Sequence, residues 1–86
     1  MSPTPNWPAP PAASSITVGP SPFSFMNPNP GNVNVTGGTV SLIEISRDGI
    51  AFFATGLIGG LFFLCPADWM RVTYTLAPTM TWFPVL

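Results

Sequence analysis

The sequence predicts an all-β fold, a small antiparallel β-sandwich or barrel of about eight short strands that follows an extended proline-rich arm. Short runs of β-branched and aromatic residues alternate with polar residues, as in strands that place one face on a core. Glycine, proline, asparagine and aspartate interrupt these runs at intervals of roughly 8–12 residues, where turns are expected. Outside residues 50–65, no segment has a convincing helical pattern.

The composition indicates a single small domain that does not act as a free monomer. Of the 86 residues, 47% are hydrophobic and only 6% are charged, against about 25% charged in ordinary soluble domains. Such a surface needs cover from lipid or from other protein subunits. We favour protein, and we expect an obligate homo-oligomer or a component of a larger assembly; among oligomers we favour a homotrimer.

The scarcity of charged and metal-binding residues argues against several functions. The formal charge is −1 and there is no lysine or histidine, so we expect no nucleic-acid partner. Cys65 is the only cysteine, which excludes an internal disulfide and the usual Cys/His zinc sites, and it is expected to be a buried small hydrophobe. Asp48 and Asp68 stand in turn sequences, where aspartate serves the backbone. We therefore expect no metal, no cofactor and no enzymatic activity.

The first 13 residues form a segment distinct from the β domain expected at 14–86. Their five prolines fix φ and remove backbone donors, which favours polyproline II conformation. One interpretation is a disordered leader, and the other is an arm that lies along a neighbouring subunit with Trp7 as its apolar anchor. The candidate partner-binding residues of the arm are Pro3, Pro5, Trp7, Pro8, Pro10 and Pro11.

Four strands are expected in the first half of the domain. The turn sequences between them are GPSP at 19–22, NPNPG at 27–31 and GG at 37–38. The fourth strand has apolar residues on both faces, which indicates cover on one side by the core and on the other by a partner. The strands are SSITV at 14–18, FSFM at 23–26, NVNVT at 32–36 and TVSLIEIS at 39–46.

The segment at 50–65 has two interpretations. If helical, it would enter a bilayer, as in a small holin-like membrane protein, with two glycines at the spacing of a close helix contact. If extended, residues 50–54 and 61–64 form two short buried strands that pair with each other across a turn at 55–60. Strands are favoured, because 16 residues make a helix of only ~24 Å against a bilayer core of ~30 Å. Membrane association is therefore not expected.

The rest of the chain predicts further turns and strands. Arg47-Asp48-Gly49 predicts a tight turn before the central segment. MRVTYTL at 70–76 alternates cleanly after a turn at 65–68, and it is the clearest half-buried strand in the chain. TMTWF at 79–83 alternates again after Ala77-Pro78 breaks the previous strand.

Several residues of the domain are candidates for contacts. Glu44 and Arg71 are sparse charges on well-patterned strands, and they either pair across strands or subunits or remain solvated. A sugar-binding face at Trp7, Trp69 or Trp82 is a further alternative. The expected oligomer interface consists of Phe52, Phe53, Leu61, Phe62, Phe63 and Trp82.

Three motifs span about residues 17–82: SPFSFMNPNP, GGTVSLIEISRDGIAFFATGL and CPADWMRVTYTLAPTMTWFP. Their order resembles a pattern in small proteins of tailed bacteriophages and prophages. The resemblance implies a virion structural protein, either a capsid decoration (cement) protein or the base of a head or tail appendage. The chain departs from the pattern at 61–65, where LFFLC replaces polar residues and suggests an extra apolar contact between subunits.

By this resemblance the protein would stabilise a phage head through oligomeric contacts of its β domain. Its arm would clamp the major capsid protein or other virion proteins. A head-fibre or tail appendage, or a glycan-binding tip module, is the alternative role. The N-terminus lacks the basic start and apolar centre of a signal peptide, so we expect assembly in the host cytoplasm and a location on the virion.

Overall fold

The computed structural model describes residues 11–85, and within these residues the chain forms eight strands and no helix. Every segment predicted as a strand contains one, and the predicted all-β fold is confirmed. Residues 1–10 of the predicted arm lie outside the described residues. The strands are β1 Ser14–Ile16, β2 Phe23–Met26, β3 Gly31–Thr36, β4 Thr39–Ser46, β5 Phe53–Ala54, β6 Gly60–Leu64, β7 Trp69–Leu76 and β8 Thr79–Pro84.

The strands form two antiparallel sheets of four strands each. Sheet A has the order β1-β8-β3-β6, and sheet B has the order β2-β7-β4-β5. The first strand pairs with the last, the second with the seventh, the third with the sixth and the fourth with the fifth. The chain is therefore arranged as one long hairpin rolled into two layers. This is the strand order of a jelly roll, which consists of two Greek keys.

The core lies between the two sheets and is built from alternate residues of the central strands. In β3, Val33 and Val35 point inward while Asn32 and Asn34 point outward, as the alternation in the sequence predicts. In β7, Met70 and Val72 are both fully buried. The nine buried apolar residues are Val33, Val35, Val40, Ile43, Phe62, Leu64, Met70, Val72 and Met80.

A β-bulge explains the irregular pattern of β4. Its register against β7 shifts on both sides of Val40, and such an irregularity changes which residues face inward. As a result Val40 and Ile43 both face the core although they are an odd number of positions apart, while Leu42 is 36% exposed on the outer face. The apolar residues on both faces of β4 thus reflect the bulge, and in the described chain only the inner face packs on the core.

The central segment is neither the predicted hairpin nor a helix. β5 pairs with β4 in sheet B, whereas β6 pairs with β3 in sheet A. The segment therefore crosses from one sheet to the other, and the prediction that its two strands pair with each other is wrong. The reason is tertiary: β3 and β4 each take a neighbour on their free side. Across residues 11–85, the structure contains no helix long and apolar enough to cross a membrane.

The expected burial of the central segment is also wrong in part. Phe62 and Leu64 reach the core, but Phe53 is 71% exposed and Leu61 is 61% exposed. Only two residues of the stretch at 50–54 form a strand, because the turn at Asp48 extends to Ala51. The apolar residues of this segment are therefore divided between the core and the exposed surface.

Candidate functional site

Much of the exposed apolar surface lies on one side of the sandwich. A two-residue turn joins β3 to β4, so their outer neighbours β6 and β5 lie on the same side. Of the eleven large hydrophobic residues exposed in the described chain, six belong to β5, β6 and the loops beside them. We call these six the apolar strip; they are Ile50, Phe53, Leu57, Ile58, Leu61 and Phe63, each 55–85% exposed.

Both strands of the apolar strip are edge strands. β5 ends sheet B and β6 ends sheet A, so each leaves one row of backbone N–H and C=O groups without a partner strand in the described part of the chain. Soluble proteins usually protect such edges with charged residues or proline. The sequence from Gly49 to Cys65 contains neither. An open cleft of about 370 Å³ beside Phe53 makes part of this surface concave. The strip is therefore suited to association with protein.

The outer face of sheet A carries a second surface, which combines apolar side chains with amides. The strand register places Asn32 between Phe63 on β6 and Phe83 on β8. Asn34 lies beside Leu61 in the next outward row. Both asparagines are half-buried, and each amide offers a donor and an acceptor. We call the cleft here the outer groove; it measures about 450 Å³ and is lined by Asn32, Asn34, Leu61 and Phe83.

The structure divides the predicted oligomer interface. Phe53, Leu61 and Phe63 are exposed on the apolar strip and are available to a partner. Phe62 is not: its side chain is 7% exposed and belongs to the core, because it occupies an inward position of β6. Trp82 is half-buried and packs against the core. The LFFLC sequence thus alternates between core and surface.

Glu44 and Arg71 form an ion pair within one chain. They are directly opposite each other on β4 and β7, and Arg71 Nε donates a hydrogen bond of 2.9 Å to Glu44 Oε1. This hydrogen bond raises the pKa of the Arg71 guanidinium above its already high usual value. Phe52, another predicted interface residue, lies with its ring centroid 3.9 Å from the guanidinium. The pair fixes the register of two strands on the outer face of sheet B.

Asp48 builds the turn that follows β4. Its Oδ1 accepts hydrogen bonds from the Ile50 and Ala51 amides, at 2.8 and 2.9 Å. The Ser46 hydroxyl donates to the same oxygen at 2.9 Å. These hydrogen bonds, the two backbone amides first, hold the pKa of Asp48 below its ordinary value. The carboxylate is therefore engaged by its own turn, as the sequence context predicts.

Acid is expected to weaken this turn. The folded-state pKa of Asp48 is lowered, so its contribution to stability is present above the unfolded-state pKa of about 3.9 and is lost as the pH falls through the folded value. The Asp48→Asn variant should have a flatter dependence of melting temperature on pH below about pH 4. Thermal unfolding of both proteins between about pH 2 and pH 6 measures this. Equal slopes in the two proteins would contradict the assignment.

Asp68 is likewise engaged in a turn. It is only 4% exposed, and its Oδ2 accepts a hydrogen bond of 2.8 Å from the Cys65 amide. Its Oδ1 lies 3.2 Å from Arg47 Nε. Cys65 itself is half-buried, whereas the sequence predicted a buried residue. In the described part of the chain, no three residues among His, Cys, Asp and Glu lie together as for a metal ion.

Asn27 joins the two sheets and was not singled out by the sequence. This residue is fully buried. Its Nδ2 donates to the carbonyls of Leu64 and Cys65 at 3.0 and 3.1 Å, and its Oδ1 accepts a hydrogen bond of 2.9 Å from Trp82 Nε1. Its backbone exchanges two further bonds, of 2.7 and 2.8 Å, with the turn at 67–68. No local signal in the NPNPG sequence separates this asparagine from an ordinary loop residue.

Trp69 and Trp82 do not form an open platform for a sugar. Trp69 is half-buried beneath the Asp48 turn, where a Cβ at Gly49 would approach its Nε1 to 2.7 Å. Trp82 is held by Asn27, as described above. Trp7 lies outside the described residues.

The described residues that precede β1 are exposed to solvent. Pro11, Ala12 and Ala13 are exposed, as are the first two residues of β1. The other predicted contacts of the arm lie outside the described residues; they are Pro3, Pro5, Trp7, Pro8 and Pro10.

Comparison of the chain with models of protein families, with curated proteins and with solved structures gives no match. The jelly roll occurs in viral capsid proteins, lectins and cupins, so the fold by itself does not select one function. The surfaces of this chain are therefore the basis for a functional proposal.

Proposed function

We propose that the chain is a structural protein of a phage particle, a decoration protein that stabilises the head. The observation that carries the proposal is the apolar strip, in which six exposed large hydrophobic residues lie on and beside two edge strands without charge or proline, in a chain with 6% charged residues. The jelly-roll order is common in viral capsid domains, and the sequence motifs resemble those of small phage proteins. The strip and the N-terminal arm then both contribute contacts with neighbouring proteins.

The size of the strip suits repeated contacts on a symmetric particle. Burying one large apolar side chain contributes roughly 1.5–3 kcal/mol, but association itself costs about 4–15 kcal/mol. One strip therefore supports only a modest interface, and several copies held together on a shell gain by multivalency. Stabilising a shell in this way requires contacts alone and no chemistry.

A ring of copies is the assembly that we favour. The apolar strip occupies the side of the sandwich at β5 and β6, and the opposite side is formed by β1 and β2. A contact between these two different sides is head-to-tail, and such contacts form a ring when the rotation from one copy to the next closes. Met26 on β2 is 48% exposed there and offers an apolar partner. We propose a trimer.

The proposal can be tested on phage particles that are purified from cells carrying the coding sequence. We expect the chain to co-sediment with full particles through a density gradient and to appear in many copies on the head in reconstructions. Density at a head fibre or tail would favour the appendage role instead. Absence of the chain from purified particles would refute a virion role.

Polar substitutions in the strip are expected to weaken assembly in solution. Phe53→Ser with Ile58→Ser removes apolar groups worth roughly 3 kcal/mol together, or about a hundredfold in the association constant. Sedimentation equilibrium measures this directly. Leu76→Ser is the matched control, because Leu76 is 64% exposed but lies on β7, away from the strip. Equal association of the strip variant and the control would exclude the strip as the interface.

A further inference from the structure

We infer that the outer groove of sheet A receives the proline-rich arm of an adjacent copy of this chain. The inference rests on the proposed function, since it names the surface that the arm clamps. It depends on the spacing of the prolines, on the chemistry of the groove and on the way the chain leaves β1.

The prolines recur at the period of a polyproline II helix. Pro5, Pro8 and Pro11 are three residues apart, and this helix has three residues per turn with a rise of about 3.1 Å. In a helix of this kind, residues three apart lie on one edge at intervals of about 9 Å, so the sequence would place the three rings on one edge. By the same rule Trp7 and Pro10 would share a second edge. Aromatic-lined grooves bind proline-rich ligands through apolar edges of this kind.

The outer groove has the matching chemistry. Phe83 and Leu61 form apolar walls for proline rings, and Phe63 extends the wall along β6. A polyproline II segment has no internal hydrogen bonds, so its carbonyls are free acceptors. The amides of Asn32 and Asn34 supply donors on the floor of the groove. Neither the groove nor residues 1–13 contain a charged side chain that would have to be desolvated.

The same prolines disfavour the edge of β6 as the binding site. A strand added to an edge must donate backbone N–H groups to it, and proline has none. A face with ring-sized walls and side-chain donors has no such requirement. The outer groove is therefore a better site for the arm than the neighbouring edge.

The direction of the chain indicates that the arm belongs to an adjacent copy. Ser14 lies opposite Trp82 and Ile16 opposite Met80, so the chain before Ser14 runs toward the end of β8 at Pro84. This direction leads away from Asn34 and Leu61 of its own groove. Residues 11–13 are exposed, and adjacent prolines at 10 and 11 oppose a sharp reversal. Ten residues of polyproline II reach about 31 Å, enough to cross a neighbour's sheet.

A photo-crosslinker at position 7 tests the inference in the full-length protein. Trp7 is replaced by p-benzoylphenylalanine, which keeps an aromatic anchor, and an equal mixture of ¹⁵N-labelled and unlabelled chains is irradiated when assembled. Mass spectrometry then locates the crosslinks and shows whether they join two chains. We expect crosslinks between chains at residues 32–34, 61–63 and 81–83.

Two variants test the role of the groove. Phe83→Ser should lower the yield of crosslinks between chains by at least about tenfold, as for a central aromatic contact. Leu76→Ser, at an exposed residue on the other sheet, should leave the yield unchanged. Both side chains are partly exposed, and equal melting temperatures confirm that the variants remain folded.

Crosslinks confined to one chain, crosslinks elsewhere on the domain, or the absence of crosslinks would each overturn the inference. Crosslinks that persist unchanged in Phe83→Ser would overturn it as well. So would an arm-deleted, assembled chain in which the Phe83 side chain stays inaccessible to hydroxyl-radical labelling, because the β domain of another copy or a glycan would then occupy the groove. Co-sedimentation with particles tests the virion role independently, so either proposal can fail while the other stands.

Discussion

Asn27→Ala is expected to lower the free energy of unfolding by about 3–5 kcal/mol, a large part of the stability of a domain this small. The substitution leaves the Leu64 and Cys65 carbonyls and the indole N–H of Trp82 without their partner. Each buried polar group that loses its hydrogen bond costs about 1–3 kcal/mol. Because these groups belong to sheet A while Asn27 follows β2 of sheet B, the loss loosens the contact between the sheets.

Chemical denaturation of the purified protein measures this effect. Asn29→Ala is the matched control, since Asn29 lies in the same NPNPG loop but is exposed. The control should change the free energy of unfolding by less than about 0.5 kcal/mol. Asn27→Asp should also destabilise, because a carboxylate oxygen would then face the two carbonyls. If Asn27→Ala were as stable as Asn29→Ala, the bonds of Asn27 would contribute nothing to the fold.

Gly38→Ala is expected to cost about 3 kcal/mol, whereas Gly37→Ala is expected to cost about 1 kcal/mol. Both glycines have positive φ, +70° at Gly37 and +67° at Gly38, so the conformational cost of an alanine is similar. A Cβ at Gly37 has no neighbour within 4 Å. A Cβ at Gly38 would lie 2.5 Å from the Leu76 carbonyl oxygen and 2.7 Å from the Pro78 nitrogen. These are backbone atoms, which cannot move aside as a flexible side chain does.

Thermal unfolding of the two variants distinguishes them. A difference of about 2 kcal/mol corresponds to roughly 8–16 °C in melting temperature for a domain of this size. Gly37→Ala is the internal control, because it shares the turn and the backbone conformation. Equal melting temperatures would mean that the β3–β4 turn does not pack against the β7–β8 turn as the structure shows.

The positions of the strands could be predicted because strand formation depends on local features. In β3 and β7, polar and apolar residues alternate with period two, and this pattern records which face meets a core. Turn residues at Gly37 and Asp48 mark the ends of the strands by their backbone preferences. The turn role of Asp48 followed from the same local chemistry, and its hydrogen bonds agree with it.

The pairing of the strands could not be predicted from such features. A strand that alternates well can pair with any neighbour of similar length, so the sequence did not exclude a hairpin at 50–64. In the fold, β5 and β6 instead extend two different sheets. The same limit applies to the site: Phe62 and Phe63 are equally apolar, and only the register of β6 turns one to the core and the other to the apolar strip.

The sequence by itself determined an all-β chain of short strands, a proline-rich segment before them, and a composition with 47% hydrophobic and only 6% charged residues. Only the tertiary structure decided the jelly-roll order, the place of Asn27 between the sheets and the grouping of exposed residues into a strip and a groove. The physical reason is the range of the interactions. Backbone preference and alternation act over a few residues, whereas pairing and burial depend on residues such as Asn27 and Trp82, which meet only when the chain has folded.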